Sequence, residues 1–392
     1  CNTAGYIKVS KYMKENADEL LEEMKEVNDY IYAHPELGLQ EYESTKYLTD
    51  KIASQGFEVT YPYCGLDTAF RAELKCGDGP KVAFLAEYDA LPGYGENKDQ
   101  NGHACGHNWI AASTYGASIV LAKLKDHFNG TIVYLGAPAE ETYGGKCDLV
   151  NQGAFDDITA VFQMHLGAEN NLAVNTLAID SLEFTFTGKA AHAAAYPHLG
   201  INALDAVQLT YAGINALRQH ILPSSRIHGI ITKGGQAANT VPDLAQCQFY
   251  IRATKREYLN ELTQKVINCA KGAALMTGAT LSYRNFETSY DDLDNNKKLV
   301  AISKATLEDL GVHDFIDDDR DASGSSDIGN VSHACPTCYI ELDTNANPPA
   351  YAHNEDFLEC VTGPLAYHNL AVASKTMAYS ALQVLLDPSI VE

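Results

Sequence analysis

The sequence of 392 residues predicts an α/β fold, a mostly parallel sheet with helices on both faces, into which a smaller ferredoxin-like α+β domain is inserted. Between residues 81 and 165, apolar runs rich in β-branched residues alternate with helical stretches, a pattern typical of parallel strands buried on both faces. Between residues 182 and 286 the order becomes strand, helix, strand, strand, helix, strand, which is the ferredoxin-like plan. The length suits two domains. We place the larger domain at 1–180 and 291–392, and the insertion at 181–290.

The elements of the larger domain follow from hydrophobic periodicity. Helical spacing predicts helices over 6–32 and 42–55, with a possible interruption of the first at 16–18. Buried strands are expected over 81–86, 131–135 and 160–163, and the stretches between them predict helices over 109–125 and 145–152. Because parallel sheets bind ligands beyond the carboxyl ends of their strands, residues that follow these strands are candidates for a site.

The inserted domain begins where the spacing changes to period two. Residues 182–188 alternate as a half-exposed antiparallel strand does. Further strands are predicted over 227–232, 245–254 and 280–286, with helices over 202–220 and 258–277. The acidic, Asn-rich segment 291–296 marks the return to the larger domain.

Composition narrows the function. The formal net charge of -23 argues against nucleic acid or an anionic membrane as partner. No run of 18 apolar residues and no signal peptide is present, so we expect no membrane span. Ten cysteines lack the regularity of a disulfide scaffold, which favours a reducing, cytoplasmic location. The chain starts at Cys1 rather than Met, which indicates trimming or processing, and a lipoprotein end at this cysteine is an open alternative.

Side chains with chemical potential follow each predicted strand. Residues 87–92 read Glu-Tyr-Asp-Ala-Leu-Pro, the second strand leads to Glu140 and Glu141, and His165 closes the third. In an extended segment the two glutamates would point apart, so one could hold a metal while the other handles a proton. Taken singly, the glutamates could be a solvated loop, His165 a core histidine, and Asp89 the start of a turn.

A Cys-x-His pair, Cys105 and His107, lies between glycines and is expected on a loop or extended segment, since side chains at i and i+2 share no helix face. Alone the pair could be an inert thiol beside a satisfied histidine, and His353 alone a surface histidine. Together the chain supplies five donors, enough for two divalent metal ions that share one ligand; they are Cys105, His107, Glu141, His165 and His353. Zinc suits a thiolate and imidazoles best, although manganese or cobalt could also bind. Glu140 is then the candidate that accepts the proton of a metal-bound water.

These residues resemble the M20 superfamily of metallopeptidases and amidohydrolases. The likeness is to the branch of indole-acetyl-amino-acid hydrolases, aminobenzoyl-glutamate hydrolases and β-alanyl-lysine dipeptidase-like proteins. It rests on motifs in the family's order at 88–92, 103–107, 138–141, 164–165, 188–193, 239–243 and 353. The resemblance implies dinuclear metal-dependent hydrolysis of the amide bond of N-acyl amino acids or small unusual dipeptides. The inserted domain would then be a lid that also forms a homodimer.

The resemblance also implies roles for single residues. Cys105 would bridge the two metals and Asp89 would orient a ligand. Where other branches carry a metal histidine, this chain has Glu87, consistent with His107 serving instead. His192 and Asn239 match lid residues that reach the partner's active site and stabilise an oxyanion; otherwise they are a boundary histidine and a turn asparagine.

Two further residues are candidates for binding substrate. Arg252, on a predicted lid strand, could hold a substrate carboxylate. Ser325 lies in a Gly-containing loop like the family's substrate-side loop, or in an ordinary turn. Two other functions stay open: a ligand-binding relative that has lost catalysis, and a cysteine hydrolase that uses Cys105. Cys335 and Cys338 have redox-like spacing, but we interpret them as buried strand thiols.

Overall fold

The computed structural model describes residues 3–318, 320–322 and 324–392. They form two compact units: the first comprises Cys1–Asn175, Asp294–Asp321 and Asn330–Glu392, and the second Thr176–Leu293 and Ala322–Gly329. The segment Ala322–Gly329, which the sequence analysis grouped with the larger domain, therefore packs with the second unit.

The first unit is built on an eight-stranded sheet and a small hairpin. Its strands are β1 (Glu58–Thr60), β2 (Phe70–Lys75), β3 (Lys81–Ala86), β4 (Leu91–Tyr94), β5 (Gln100–Gly102), β6 (Thr131–Gly136), β7 (Ala160–Gly167), β8 (Asn170–Asn171), β13 (Phe315–Ile316) and β14 (Thr337–Asp343). The large sheet has the order β1-β2-β6-β3-β7-β14-β8-β13, and β4 pairs with β5. The central strands β6, β3, β7 and β14 run parallel, as predicted. The antiparallel edge formed by β1 and β2 was not predicted.

Helices cover this sheet. They are α1 (Thr3–Ala33), α2 (Tyr42–Ser54), α3 (His107–Ala122), α4 (Gly145–Asn151), α7 (Lys297–Asp309), α8 (Ile328–Ala334) and α9 (Pro364–Leu386). The predicted interruption of the first helix is wrong: α1 is continuous through 16–18, and Ala17 is buried in the core. Helix α3 is buried along almost its whole length, and its Trp109 donates a hydrogen bond from Nε1 to the carbonyl oxygen of Ala366 at 3.2 Å. A helix that is apolar all round needs neighbours on every side, and α3 packs against α1, α9 and the sheet.

The second unit has the predicted strand and helix order. Its elements are β9 (Ala178–Thr187), α5 (Ala203–Leu217), β10 (Arg226–Lys233), β11 (Leu244–Ala253), α6 (Arg256–Thr277) and β12 (Thr280–Asn285). They form an antiparallel sheet of order β10-β11-β9-β12. The expectation that β9 is half-exposed is wrong, because β9 is an inner strand. Even its Glu183 is buried, with hydrogen bonds from Gln248 and Arg284.

Within the described ranges, none of the helices combines the length and the apolar character that crossing a membrane requires.

Candidate metal centre

The candidate site lies at the carboxyl ends of the parallel strands of the first unit. Glu87 and Asp89 follow β3, the segment 137–144 follows β6, and His165 lies near the end of β7. Since parallel strands end at the same edge, the topology alone brings these groups together. The strand β7 extends two residues beyond His165, so this histidine lies inside the strand rather than after it.

The Cys-x-His pair spans the start of a helix. Gly106 is the N-cap of α3 and has φ +73°, in the left-handed region that favours glycine. Cys105 therefore lies on the loop, as predicted, whereas His107 is the first helical residue. Both side chains are buried: Cys105 is 9% and His107 1% exposed.

Cys105, His107 and His165 form a first group of possible metal ligands, whose donor atoms all lie within 4.8 Å of one another. Cys105 Sγ is 3.3 Å from His165 Nε2. His165 Nδ1 lies 2.6 Å from the carbonyl oxygen of Leu166, an acceptor only, so Nδ1 carries the proton and Nε2 presents its lone pair.

Cys105, Glu141 and His353 form a second group within the same distance limit. His353 Nε2 is 3.2 Å from Glu141 Oε1. The backbone of His353 is fixed by its N–H, which donates to the carbonyl oxygen of Ala104 at 2.8 Å. Cys105 belongs to both groups, so one thiolate could bridge two cations.

Asp89 connects the two groups. Its Oδ1 lies 2.8 Å from His107 Nδ1, and its Oδ2 accepts the backbone N–H of Glu141 at 2.9 Å. A carboxylate on one imidazole nitrogen orients the ring and leaves the other nitrogen for a metal. Burial alone would raise the pKa of Asp89, but the His107 imidazole, its hydrogen bond and the Glu141 N–H hold that pKa below its usual range.

The two glutamates lie on a turn and not on an extended segment, so the expectation that their side chains point apart is wrong. Glu140 Oε2 and Glu141 Oε1 lie 3.8 and 3.7 Å from the same atom, His107 Nε2. The turn begins at Ala139, which has φ +57° and whose carbonyl oxygen accepts the N–H of Gly144 at 2.8 Å.

A second buried carboxylate holds this turn from below. Glu41 is fully buried, and its Oε2 accepts the N–H of Ala139 at 2.9 Å. Glycines make the close approach possible: a Cβ at Gly38 would lie 2.4 Å from Thr142 Oγ1, and one at Gly145 would lie 2.3 Å from the carbonyl oxygen of Pro138.

These groups fit a pair of metal ions. His107 Nε2 is buried and has no hydrogen-bond partner among the described residues, which is unusual for a buried imidazole nitrogen. Burial raises the pKa of the Cys105 thiol well above its ordinary value, so a thiolate here needs a cation beside it. The donor separations of 3.3 and 3.2 Å also match neighbouring ligands on one ion with bonds of about 2.0–2.3 Å.

The electrostatics at Glu141 agree with a ligand role. Burial alone would raise the pKa of this carboxyl group, but the hydrogen bond with His353 and the charge of His107 lower it to about 2. Glu141 is therefore ionised at neutral pH, as a metal ligand must be.

A third cluster contains Glu87, His107 and Glu140. Glu87 Oε2 lies 3.1 Å from His107 Nε2, and Glu87 Oε1 accepts a hydrogen bond from the buried Lys146 Nζ. Sequence reasoning did not identify Lys146 or Glu41. The available signal was a charged residue within a stretch that the pattern predicts to be buried.

The other predicted residues lie in the second unit. His192 and Thr240 form an isolated β-bridge, and the carbonyl oxygen of Asn239 accepts the N–H of Ala193 at 2.9 Å, so the segments of His192 and Asn239 adjoin. His192 Nδ1 accepts the N–H groups of Ala194 and Ala195 at 3.2 and 3.0 Å. The neutral ring therefore carries its proton on Nε2.

The two predicted substrate-binding residues contact each other. Arg252 Nη1 lies 3.4 Å from Ser325 Oγ, and the guanidinium lies over the ring of Tyr250, 5.9 Å from its centroid. Arg252 Nε is buried and has no hydrogen-bond partner within the described ranges.

Comparison with known proteins identifies the class of this chain. Residues 83–370 match the model of peptidase family M20/M25/M40. The Xaa-Arg dipeptidase of Mus musculus is 36% identical over 96% of this chain and 89% of its own length. One subunit of the p-aminobenzoyl-glutamate hydrolase of Escherichia coli (strain K12) is 34% identical over 74% of this chain and 63% of its own length.

Solved structures agree in fold. A dinuclear metal-binding peptidase of the M20 family from Bacillus subtilis superposes with a TM-score of 0.71 at 22% identity, covering 94% of this chain and 99% of its own. The aminobenzoyl-glutamate utilization protein of Klebsiella pneumoniae gives a TM-score of 0.73 at 20% identity, covering 96% and 99%. The chain therefore belongs to the M20/M25/M40 peptidase family. It is a hydrolase, of a family whose members are named as dipeptidases and as amidohydrolases of acyl-amino acids.

Proposed function

We propose that this protein is a dinuclear metal-dependent amidohydrolase that cleaves the amide bond of an N-acyl amino acid or a small dipeptide. The observation that carries this proposal is the pair of donor groups that share Cys105. The relatives support it, since they are named for an Xaa-Arg dipeptidase and for a p-aminobenzoyl-glutamate hydrolase.

The chain's residues divide into two ligand sets. Cys105, His107 and His165 hold one cation, and Cys105, Glu141 and His353 hold the other. Zinc suits the thiolate and the imidazoles, and manganese or cobalt also fit. Two such ions polarise the amide carbonyl and lower the pKa of a bound water.

Glu140 is the general base. Its side chain is 16% exposed, and its Oε2 is within 3.8 Å of His107 Nε2, so the carboxylate adjoins the ligand cluster while keeping access to solvent. It accepts a proton from the attacking water and passes it to the leaving amine, whose departure requires protonation. Asp89 acts as a positioning residue, because its two hydrogen bonds fix His107 and the backbone of Glu141.

The second unit contributes substrate-binding residues. The proton on His192 Nε2 makes this ring a donor for an oxyanion, since its Nδ1 is occupied by two backbone N–H groups. Asn239, on the adjoining segment, is a second donor. Arg252 binds a substrate carboxylate, with Ser325 beside it. We further propose that this unit forms a homodimer and that the protein works in the cytoplasm, as the cysteine content suggests.

Replacing Glu140 tests the mechanism. Glu140→Ala is expected to keep the metal content of the wild type, while kcat falls by about 10²- to 10⁴-fold. Glu140→Gln, which has the same shape and no basic oxygen, is expected to behave alike. Full activity in either variant would contradict the role of Glu140.

A cysteine hydrolase is the second candidate, because Cys105 Sγ lies 3.3 Å from His165 Nε2. The raised pKa of the buried thiol weighs against it, since the thiolate is the nucleophile. A cysteine hydrolase keeps its activity in a chelator and loses it on alkylation. The metal mechanism predicts complete loss with a chelator and recovery on adding zinc or manganese.

The substrate is best sought with a panel. Dipeptides that end in arginine, aminobenzoyl-glutamate, acyl-amino acids and β-alanyl dipeptides cover the chemistry discussed above. Comparing kcat/KM across these four classes for the wild type identifies the preferred acyl group and leaving amine.

A further inference from the structure

A buried ion pair adjoins the metal centre and has no part in the mechanism above. Glu87 is 3% exposed and Lys146 fully buried, and Lys146 Nζ donates to Glu87 Oε1. A lysine and a glutamate in the interior lose hydration that their mutual attraction often does not restore. Such a pair therefore suggests a function for the second oxygen of Glu87.

That oxygen faces the orphaned nitrogen of His107. Glu87 Oε2 is 3.1 Å from His107 Nε2, which is within hydrogen-bond distance. The direction is nevertheless wrong, because Nε2 makes no hydrogen bond with any described residue. The carboxylate oxygen therefore lies to one side of the axis along which Nε2 points.

A cation on that axis explains the arrangement. Two ligands of one ion, each with a bond of about 2.1 Å, are roughly 3.1 Å apart when they subtend an angle near 95° at the ion. The observed 3.1 Å separation has this value. The Cys105 Sγ to His165 Nε2 separation of 3.3 Å is of the same kind.

We propose that Glu87 is a further ligand of the cation that Cys105, His107 and His165 hold, and that Lys146 fixes its other oxygen. This inference rests on the proposed dinuclear function. The charges agree: Cys105, Glu87, Asp89, Glu140 and Glu141 supply five negative charges when ionised, two divalent ions supply four positive ones, and Lys146 offsets the remainder.

The added ligand changes which metal this position prefers. A thiolate and two imidazoles favour zinc, whereas a carboxylate oxygen is the kind of ligand that suits manganese. With Glu87 included, the first cation position accepts the harder ion as well.

The test is metal binding rather than activity. Full-length, metal-free protein is titrated with Zn²⁺ and with Mn²⁺ in equilibrium dialysis, and bound metal is counted by mass spectrometry. The wild type is expected to bind two ions per chain. In Glu87→Gln, the dissociation constant of one ion is expected to rise by about 100-fold or more, beyond the 10- to 100-fold typical of residues behind a ligand. The loss is larger for Mn²⁺ than for Zn²⁺.

The double variant Glu87→Gln/Lys146→Met separates ligation from simple electrostatics. It removes one negative and one positive charge, so a purely electrostatic effect of Glu87 would be cancelled and wild-type affinity restored. Ligation predicts that one ion stays weakly bound. The double variant also leaves no unpaired buried charge, so it carries the test if a single variant does not fold.

A matched control comes from the second unit, where Asp180 forms a buried pair with Arg256 at 2.9 Å. Asp180→Asn is expected to leave both dissociation constants unchanged. If the wild type binds two ions and the double variant binds both with wild-type affinity, the role of Glu87 is overturned and the dinuclear function stands. If the wild type binds no ion, both are overturned.

Discussion

Asp89 offers a sharp test of how the two cation positions are linked. One buried carboxylate accepts from His107 Nδ1 at 2.8 Å and from the Glu141 N–H at 2.9 Å, and so fixes one ligand of each donor group. Asp89→Asn keeps the size of the side chain but replaces one oxygen with an NH₂ group. The amide can accept only one of the two hydrogen bonds, and it points a donor at the other.

The magnitude follows from the lost contact. A hydrogen bond to a charged group contributes about 1.5–3 kcal/mol, and residues behind a metal ligand typically change affinity by about 10- to 100-fold. That range corresponds to about 1.4–2.7 kcal/mol. We therefore expect one of the two dissociation constants to rise within this range.

The assay is titration calorimetry of metal-free protein with Zn²⁺, alongside circular dichroism to confirm folding. Asp157→Asn is a matched control in the same unit: its carboxylate is 49% exposed and pairs with Arg71 and Lys81. It is expected to leave both constants unchanged. A folded Asp89→Asn variant with wild-type constants would refute the role given to Asp89.

Three further predictions follow from single contacts. Burial, and next the charge of Asp89, raise the pKa of Glu41 to about 8, so the folded metal-free protein holds a proton that the unfolded chain releases near pH 4.5. This stabilisation is complete below the unfolded pKa and is lost as pH rises towards 8; urea unfolding between pH 5.5 and 7.5 should therefore show a stability that falls with pH by up to about 1.4 kcal/mol per unit more in the wild type than in Glu41→Gln. Equal slopes would contradict the raised pKa. His192→Ala is expected to lower kcat by about 10²-fold without changing metal content, because it removes an oxyanion donor and no ligand; unchanged kcat would argue against that role. Arg252→Lys is expected to raise KM for substrates with a free carboxylate and to leave kcat nearly constant, since lysine lacks the bidentate fork; an equal effect on a substrate amide would show that Arg252 does not bind the carboxylate.

Much of the fold could be predicted because its strands carry strong patterns. The strand at Lys81–Ala86 and the strand order of the second unit were predicted from periodicity and turn spacing. The pairing of β1 and β2 at the antiparallel edge could not be, since Glu58–Thr60 is too short to show a period. The burial of β9 also depends on long-range pairing, with β11 on one side and β12 on the other.

The candidate site divides in a similar way. Residue types and the ends of parallel strands were enough to select Cys105, His107 and His165, because topology brings strand ends together. The contacts of Glu41 and Lys146 depend on the path of the turn after β6, which includes Ala139 at φ +57°. A short loop of this kind leaves no periodic signal, so its hydrogen bonds emerge only from the structure.

The central claim is that Cys105 is shared by two cations. Anomalous-scattering crystallography of the full chain grown with Zn²⁺ or Mn²⁺ tests it most directly. The account predicts two peaks about 3.5–4 Å apart on either side of Cys105 Sγ, one beside His107 and His165 and the other beside Glu141 and His353. No peak at Cys105, or a single ion that does not touch its sulfur, would contradict it.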